Sequence, residues 1–435
     1  MSLESIDYTD RYCIVGAGPS GLAMAAALKE AGVPYDQFER HSGLGGLWDI
    51  ESPGSPMYES AHLISSRRMS GFAGFPMPED YPDYPRHDRV LGYLKAFARQ
   101  HDLEASITFG RGVDSVEPAE KTATVVLGDE RRTYRGVVCA TGTNWEPIVP
   151  SWPGMGNIEV RHVRDYRHSD ELRGRRVLIV GLGNSGADIA CDAARVAQTA
   201  HVSIRRGYHI VPKHVFGIPA DAFANDGPRL PLWLEIPILG FLLRLIVGDT
   251  SKVGMPRPDH RILESHPLVN DQLLSHLRHG DVRLVADVER FDGAEVVLRD
   301  GERLELDLVL LATGYTRRIP YLDASYLDGS WAAGQLLTTF SRRYDSLFTL
   351  GFAELNGALF PHLSRLAGLV ARVARAQLSE PEVAERFFAW ARATKVDLSG
   401  GRRLIATRRH EHYTDEHALD RATRRAFRRM SWICP

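Results

Sequence analysis

Residues 12–39 read YCIVGAGPSGLAMAAALKEAGVPYDQFE, and this stretch decides the fold. Tyr12 to Val15 is a short apolar run with the β-prone residues of a buried strand. Gly16, Gly18 and Gly21 follow in the spacing G-x-G-x-x-G. Residues 22–32 are alanine-rich and end on a glycine, which predicts a helix with a stop. Residues 33–39 predict a second strand. Strand, glycine turn, helix and strand form the βαβ unit of a parallel sheet that holds a dinucleotide. Gly16 permits the tight turn, Gly18 lets a pyrophosphate approach the backbone, and Gly21 lets the helix pack close to the strand. The free N–H groups at the helix N-terminus face the phosphates. Glu39 lies 18 residues past Gly21, where an acid binds a ribose diol and disfavours a 2′-phosphate. The first turn therefore fits FAD or NAD and not NADP.

The pattern returns at residues 176–206, RVLIVGLGNSGADIACDAARVAQTAHVSIRR. Residues 176–180 predict a strand, Gly181, Gly183 and Gly186 the turn, residues 187–197 a helix and residues 201–204 the next strand. This strand ends in Arg205-Arg206, 19 residues past Gly186, in place of an acid. Two guanidinium groups there pair bidentately with a 2′-phosphate, so the second turn reads as an NADPH site. Each turn is followed by an Ala-Thr-Gly, at 140–142 and 312–314. The expected fold is α/β, with two Rossmann-like dinucleotide-binding domains. The NADPH domain (151–311) is inserted into an FAD domain made of 1–150 and 312–435. Proline-rich residues 147–153 read as the crossing between them. Two different nucleotide sites in one chain imply hydride transfer from NADPH to a bound flavin.

Composition narrows the alternatives. The chain has 435 residues, with 53 Lys+Arg against 55 Asp+Glu, a net charge of −2 that disfavours nucleic-acid binding by bulk positive charge. Glycine is abundant, at 39 residues. The four cysteines, Cys13, Cys139, Cys191 and Cys434, form no Cys-x-x-Cys pair, so no dithiol centre and no metal site is expected, and the usage fits a reducing cytoplasm. The N-terminus has no signal-peptide pattern. Residues 230–248, LPLWLEIPILGFLLRLIVG, carry Glu235, Arg244 and Pro237. Those charges and that proline predict a buried or tunnel-lining helix, with peripheral membrane contact as the alternative, and no transmembrane span. The stretch lies in an apolar, substrate-side insert at about 213–270, where Trp233 and Phe241 suit a lipophilic substrate. The chain beyond Glu380 is arginine-rich and predicted helical.

Further motifs resemble one family, the flavin-containing monooxygenases. Gly45-Gly46-Leu47-Trp48 follows Glu39 as it does there. Residues 58–83, with PMPEDYP at 76–82, look like that family's flavin-side segment. His162-x-x-x-Tyr166-Arg167 matches the second half of its F-x-G-x-x-x-H-x-x-x-Y fingerprint, although Gly156 and Ile158 replace the Phe and Gly. Ser203 to Gly207 resembles its 2′-phosphate segment, and residues 311–315 match its L-A-T-G-Y. The resemblance runs from about Tyr12 to Gly357 and more faintly to Tyr413.

The resemblance implies FAD on Gly16, Gly18, Pro19, Ser20, Gly21, Glu39, Arg40, Gly46, Leu47, Trp48 and Ser65. It implies NADPH on Gly181, Gly183, Asn184, Ser185, Gly186, Ser203, Arg205, Arg206, Thr313 and Gly314. The implied activity is that of a monooxygenase which forms a flavin hydroperoxide from O2 and oxygenates a nitrogen or sulfur of a small lipophilic substrate, as in N,N-dimethylaniline monooxygenase activity. Baeyer–Villiger insertion, decarboxylation of a 2-oxo acid and NADPH oxidase activity are the alternatives. Tyr166 separates the chain from the Baeyer–Villiger subgroup, whose fingerprint ends in Trp. Ile64 stands where the family places an Asn beside the flavin. Ile64 donates no hydrogen bond, which leaves His62, Ser65 and Ser66 as the neighbouring donors.

Overall fold

The computed structural model describes residues 4–228, 230–327, 334–405 and 413–434. β1 (Glu4–Val15), α1 (Pro19–Glu30) and β2 (Tyr35–Phe38) form the first βαβ unit. α2 (His87–Gln100) and β3 (Ile107–Thr108) follow. An antiparallel meander comes next, made of β4 (Ser115–Pro118), β5 (Ala123–Leu127) and β6 (Glu130–Cys139). In the first sheet β6, β1, β2 and β3 lie side by side and parallel, with β3 at the edge. The strand Leu347–Thr349, far along the chain, joins the other side of β6. Val15, Phe38, Cys139 and Thr349 align at the C-terminal edge, where ligands of open α/β sheets bind.

The chain then crosses over through β7 (Glu146–Pro147). The second sheet comprises β8 (Glu159–His162), β9 (Arg176–Val180), β10 (Thr199–Ser203) and the strands Arg283–Val285 and Leu308–Leu311, all parallel. Between β9 and β10 runs α3 (Asn184–Val196). A second antiparallel meander, Val288–Asp292, Glu295–Leu298 and Arg303–Glu305, precedes Leu308–Leu311 as β4 and β5 precede β6. The return crossing, Tyr315–Thr316, pairs antiparallel with β7.

Apolar burial holds each unit. Leu22, Met24 and Leu28 of α1 are fully buried in a cluster with Leu363, Val370 and Phe387 from the C-terminal helices. Each such side chain stabilises by roughly 1.5–3 kcal/mol relative to exposure. The second unit is centred on Val177, Ile179, Ile189, Ala190 and Val202.

The insert departs from expectation. After α4 (Ala220–Asp226), α5 (Leu232–Val247) does form over the apolar stretch, with Pro237 inside it. It is not buried: Trp233 is 76% exposed, Phe241 65% and Leu245 66%, and only Leu243 and Val247 of this helix are buried. A helix apolar all round has more apolar surface than one supporting layer can cover, and α5 turns one face to the second unit. Trp233 and Phe241 therefore belong to a surface rather than to a core. Among the described residues no helix is long and apolar enough to cross a membrane.

Candidate functional site

The two glycine turns have nearly the same geometry. Gly16 has φ +111° and Gly181 φ +103°. A Cβ at Gly16 would lie 2.8 Å from the Ala140 carbonyl oxygen, and one at Gly181 2.7 Å from that of Ala312. The Ala-Thr-Gly tripeptides thus stand where the parallel neighbour strand ends against the turn, with Ala140 N donating to Val15 O and Ala312 N to Val180 O. At Gly21 and Gly186 an added Cβ would come within 2.0 and 2.2 Å of the carbonyl oxygens of Gly16 and Gly181, so both glycines serve close packing. Both helices begin after an extended glycine, Gly18 or Gly183, and neither has a side-chain cap. Their first N–H groups are left for an anion, and Pro19 at the start of α1 has none to offer.

Around the first turn the walls are close. Gly45 N donates to Ala17 O, and a Cβ on Gly46 would sit 2.9 Å from Gly18 Cα. Leu47 and Trp48 continue this turn, and Ser55 Oγ donates to Leu47 O. Ser20 is buried against Gly351, whose added Cβ would lie 2.1 Å from Ser20 Oγ. Glu39 is buried at the end of β2 and accepts from Ala17 N (2.6 Å) and His41 N (3.0 Å). Arg40 lies over the Trp145 ring at 4.4 Å, and the Trp145 Nε1–H donates to Thr141 O.

The second turn is more open. A Cβ at Gly183 would meet nothing within 4 Å. Asn184 Oδ1 accepts from Val269 N, and Ser203 Oγ donates to Ala286 O. Arg205 is exposed, Arg206 is half-buried, and neither forms an ion pair among the described residues. Thr313 Oγ1 donates to Ile148 O. Gly314, at φ +85°, offers its carbonyl to Ile148 N (2.9 Å) and to His162 Nε2 (3.1 Å). Arg164 N donates to His162 Nδ1, so Nε2 carries the proton given to Gly314. Burial pushes the His162 pKa down to about 4, and the ring is neutral at pH 7.

On the flavin-side segment Ile64 is 44% exposed. Ser65 Oγ is bonded to Ser70 Oγ at 2.7 Å. Ser66 is fully buried, its N–H donates to Asp221, and its hydroxyl has no hydrogen-bond partner among the described residues. His62 Nδ1 lies 2.7 Å from Ser60 O, and burial lowers its pKa.

The sequence motifs miss two carboxylates on α3. Asp188 accepts from Tyr58 Oη (3.1 Å) and Asn270 Nδ2 (3.0 Å). Burial pushes its pKa up to about 6, against the pull of the Lys213 charge and of those two bonds. Asp192 is buried and accepts from Ser60 Oγ (2.5 Å) and Tyr166 Oη (3.0 Å). The signal for them is legible in the sequence: two acids one turn apart amid Ala187, Ile189, Ala190, Cys191 and Ala193.

The residues present fit two dinucleotides. Both turns are cradles that a Cβ would obstruct, both helix ends are uncapped, one flank carries an acid and the other two unpaired arginines. Residues 9–387 match the model of the flavin-binding monooxygenase-like family. A probable indole-3-pyruvate monooxygenase, YUCCA9 of Arabidopsis thaliana, is 32% identical over 71% of this chain and 75% of its own. Flavin-containing monooxygenase 5 of Mus musculus is 32% identical over 72% of this chain and 63% of its own. Among solved structures, cyclohexanone monooxygenase in an open form aligns with TM-score 0.69 at 18% identity, over 88% of this chain and 92% of that one. The S-allyl-L-cysteine S-oxygenase of Allium sativum aligns with TM-score 0.61 at 20% identity, over 100% and 90%.

Proposed function

Because the chain belongs to the flavin-binding monooxygenase-like family and is a flavin-dependent monooxygenase that uses FAD and NADPH, we propose that it oxygenates a nitrogen or sulfur of a small lipophilic substrate. FAD is assigned to the unit of residues 1–150 and 312–435, and NADPH to residues 151–311. The observation that carries this reading is the pair of matched turns with unlike flanks, Glu39 beside one and Arg205-Arg206 beside the other. When bound, NADPH supplies a hydride and reduced FAD passes one atom of O2 to the substrate, the other leaving as water.

The residues of the chain bind and orient. Glu39 stands where it meets a ribose diol, with its carboxylate fixed by Ala17 N and His41 N. Gly46 over Gly18 leaves a side-chain-free surface for the FAD pyrophosphate, with Leu47 and Trp48 closing the turn. Gly183, Asn184 and Ser185 open α3 toward the NADPH pyrophosphate, and Arg205 and Arg206 toward its 2′-phosphate. Neutral His162 donates to the Gly314 carbonyl and holds it in place. Ser65, Ser66 and His62 flank the exposed Ile64 and supply the donors that Ile64 lacks.

Decarboxylation of a 2-oxo acid is the second reading. Two observations favour it: the similarity to indole-3-pyruvate monooxygenases, and Lys213. The Lys213 ammonium lies over the Tyr84 ring at 5.1 Å and forms no salt bridge among the described residues, and its charge, which already draws on Asp188, also suits a substrate carboxylate. The free thiols Cys13, Cys139 and Cys191 support placement in a reducing cytoplasm, and the exposed apolar face of α5 supports peripheral membrane contact.

The experiment reduces the FAD-loaded protein with NADPH under anaerobic conditions, admits oxygen with N,N-dimethylaniline, a sulfide or an aryl 2-oxo acid, and counts product and hydrogen peroxide per NADPH. One oxygenated amine or sulfide per NADPH is the expected result. Carbon dioxide release from the 2-oxo acid selects the second reading. Stoichiometric peroxide with every substrate refutes both and marks an NADPH oxidase.

A further inference from the structure

Helix α3 buries an apolar face, yet Asp188 and Asp192 stand on it one turn apart. Each is bonded by a side chain of the flavin-side unit. Tyr58 reaches Asp188, and Ser60 reaches Asp192, which also takes the hydroxyl of Tyr166 from the fingerprint segment. A backbone bond and a guanidinium repeat the link: Glu59 N donates to Arg167 O (2.7 Å), and the Arg167 side chain donates through Nη1 to Met57 O (3.2 Å). Tyr58 and Tyr166 are buried and pack ring to ring at 5.8 Å. From below, Asn270 fixes the other oxygen of Asp188 while its own Oδ1 accepts from the N–H groups of Gln272 and Leu273.

The chemistry favours carboxylates. Oδ2 of Asp192 receives two hydroxyls at once, which an acceptor-only group allows. The positions on either side give the contact its meaning. The first turn of α3 is the proposed NADPH end, and residues 57–61 run directly into residues 62–66 of the flavin side. The donors meet these carboxylates directly, at 2.5–3.1 Å.

We propose that Asp188 and Asp192 are positioning residues for hydride transfer: through Tyr58 and Ser60 they seat the flavin-side stretch on the helix that holds NADPH, and so set the register of the two reacting rings. This rests on the assignment of α3 to NADPH made above. Binding of either cofactor alone does not need the clamp; the encounter of the two does.

The test uses the full chain loaded with FAD. Tyr58→Phe combined with Ser60→Ala removes only the two flavin-side hydroxyls that meet α3 and leaves that of Tyr166 in place. The flavin content and melting temperature stay near wild type, the NADPH concentration for half-maximal bleaching moves less than about 3-fold, and the limiting rate of anaerobic bleaching falls by about 10- to 100-fold, as for a slight misplacement of reacting groups. Reduction by dithionite is unchanged. Asp188→Asn keeps both contacts, its amide donating to the Tyr58 hydroxyl, and retains most of the rate, whereas Asp188→Ala loses it. Adding Tyr58→Phe to Asp188→Ala costs nothing further, because both remove one contact. An unchanged limiting rate in the double hydroxyl variant overturns the proposal, as does a loss confined to NADPH affinity or explained by lost flavin. If NADPH fails to bleach the wild-type flavin, the cofactor assignment itself falls and the clamp with it; a wild type that bleaches beside a double hydroxyl variant of unchanged limiting rate sinks only the clamp.

Discussion

The first and second glycine turns share a backbone and differ in their walls. At each, a left-handed glycine abuts the alanine carbonyl of an Ala-Thr-Gly. Around the first turn, Gly46 lies over Gly18, Gly351 presses on Ser20, and Glu39 is buried and already bonded to the backbone. Around the second turn, the space beyond Gly183 is clear, and Arg205 stands in solvent. One backbone device thus serves two tasks. A closed cradle suits a group held through many turnovers, and an open one suits a cosubstrate that must leave after each.

The sharpest way to break the comparison is at the left-handed glycines. Gly16→Ala places a methyl against Ala140 O at φ +111° and should cost about 3 kcal/mol or more, with loss of bound flavin seen in the absorbance spectrum. Gly181→Ala meets the same obstruction in the other unit, yet the purified protein should retain flavin and lose bleaching by NADPH. Equal flavin loss in both would show that the units do not act separately. Next in size, Arg205→Ala with Arg206→Ala should raise the KM for NADPH about 10- to 100-fold, for a lost charged contact of about 1.5–3 kcal/mol, and spare NADH. An unchanged cofactor preference would remove the 2′-phosphate assignment.

Acid should separate the two units. The Thr141 carbonyl is capped by the indole of Trp145, which does not titrate, and that of Gly314 by His162, which does. Burial lowers the His162 pKa from its ordinary value near 6.5 to about 4. Its contribution is therefore complete above about 6.5 and is lost as pH falls toward 4. Between pH 7 and pH 5 this amounts to about 2 kcal/mol. His162→Gln, which keeps one donor and one acceptor, should shrink that pH dependence in a chemical-denaturation series. The same slope in wild type and variant would clear His162. The smallest effect belongs to Gly183→Ala: with clear space and an ordinary φ of −92°, the fold should lose less than about 1 kcal/mol, the cost of a poorer cap. The KM for NADPH should still rise severalfold, because the methyl projects where the phosphate arrives. A stability loss as large as at Gly181 would mean that the open wall closes in solution.

Much of this was legible in the sequence because it depends on local spacing. The glycines fall where turn and close packing need them, and β9 spans the residues its apolar run predicts. The ends of elements were less legible. α1 begins at Pro19 and α3 at Asn184, each three residues before the predicted start, since poor helix formers are carried into the first turn by the geometry that faces the phosphate. β1 extends back to Glu4 because its polar residues pair with equally polar Glu130–Tyr134 of β6, a partner that no local window contains. Hydropathy predicted α5 but misjudged its burial, because it records the cost of wetting a side chain and not whether a neighbour is there to cover it. Asp188 and Asp192 lay outside every motif, since their partners Tyr58, Ser60 and Tyr166 come from distant parts of the chain.

The paired crossings carry a mechanical consequence. Glu146–Pro147 and Tyr315–Thr316 run antiparallel and are bonded to each other, with Ile148 and Gly314 closing the end. A single strand would act as a swivel and leave rotation free about any axis. Two strands laced side by side behave as a strap hinge: they bend across their flat face and resist sliding past each other. Any rocking of one unit against the other is thereby narrowed to fewer axes than a single strand would leave.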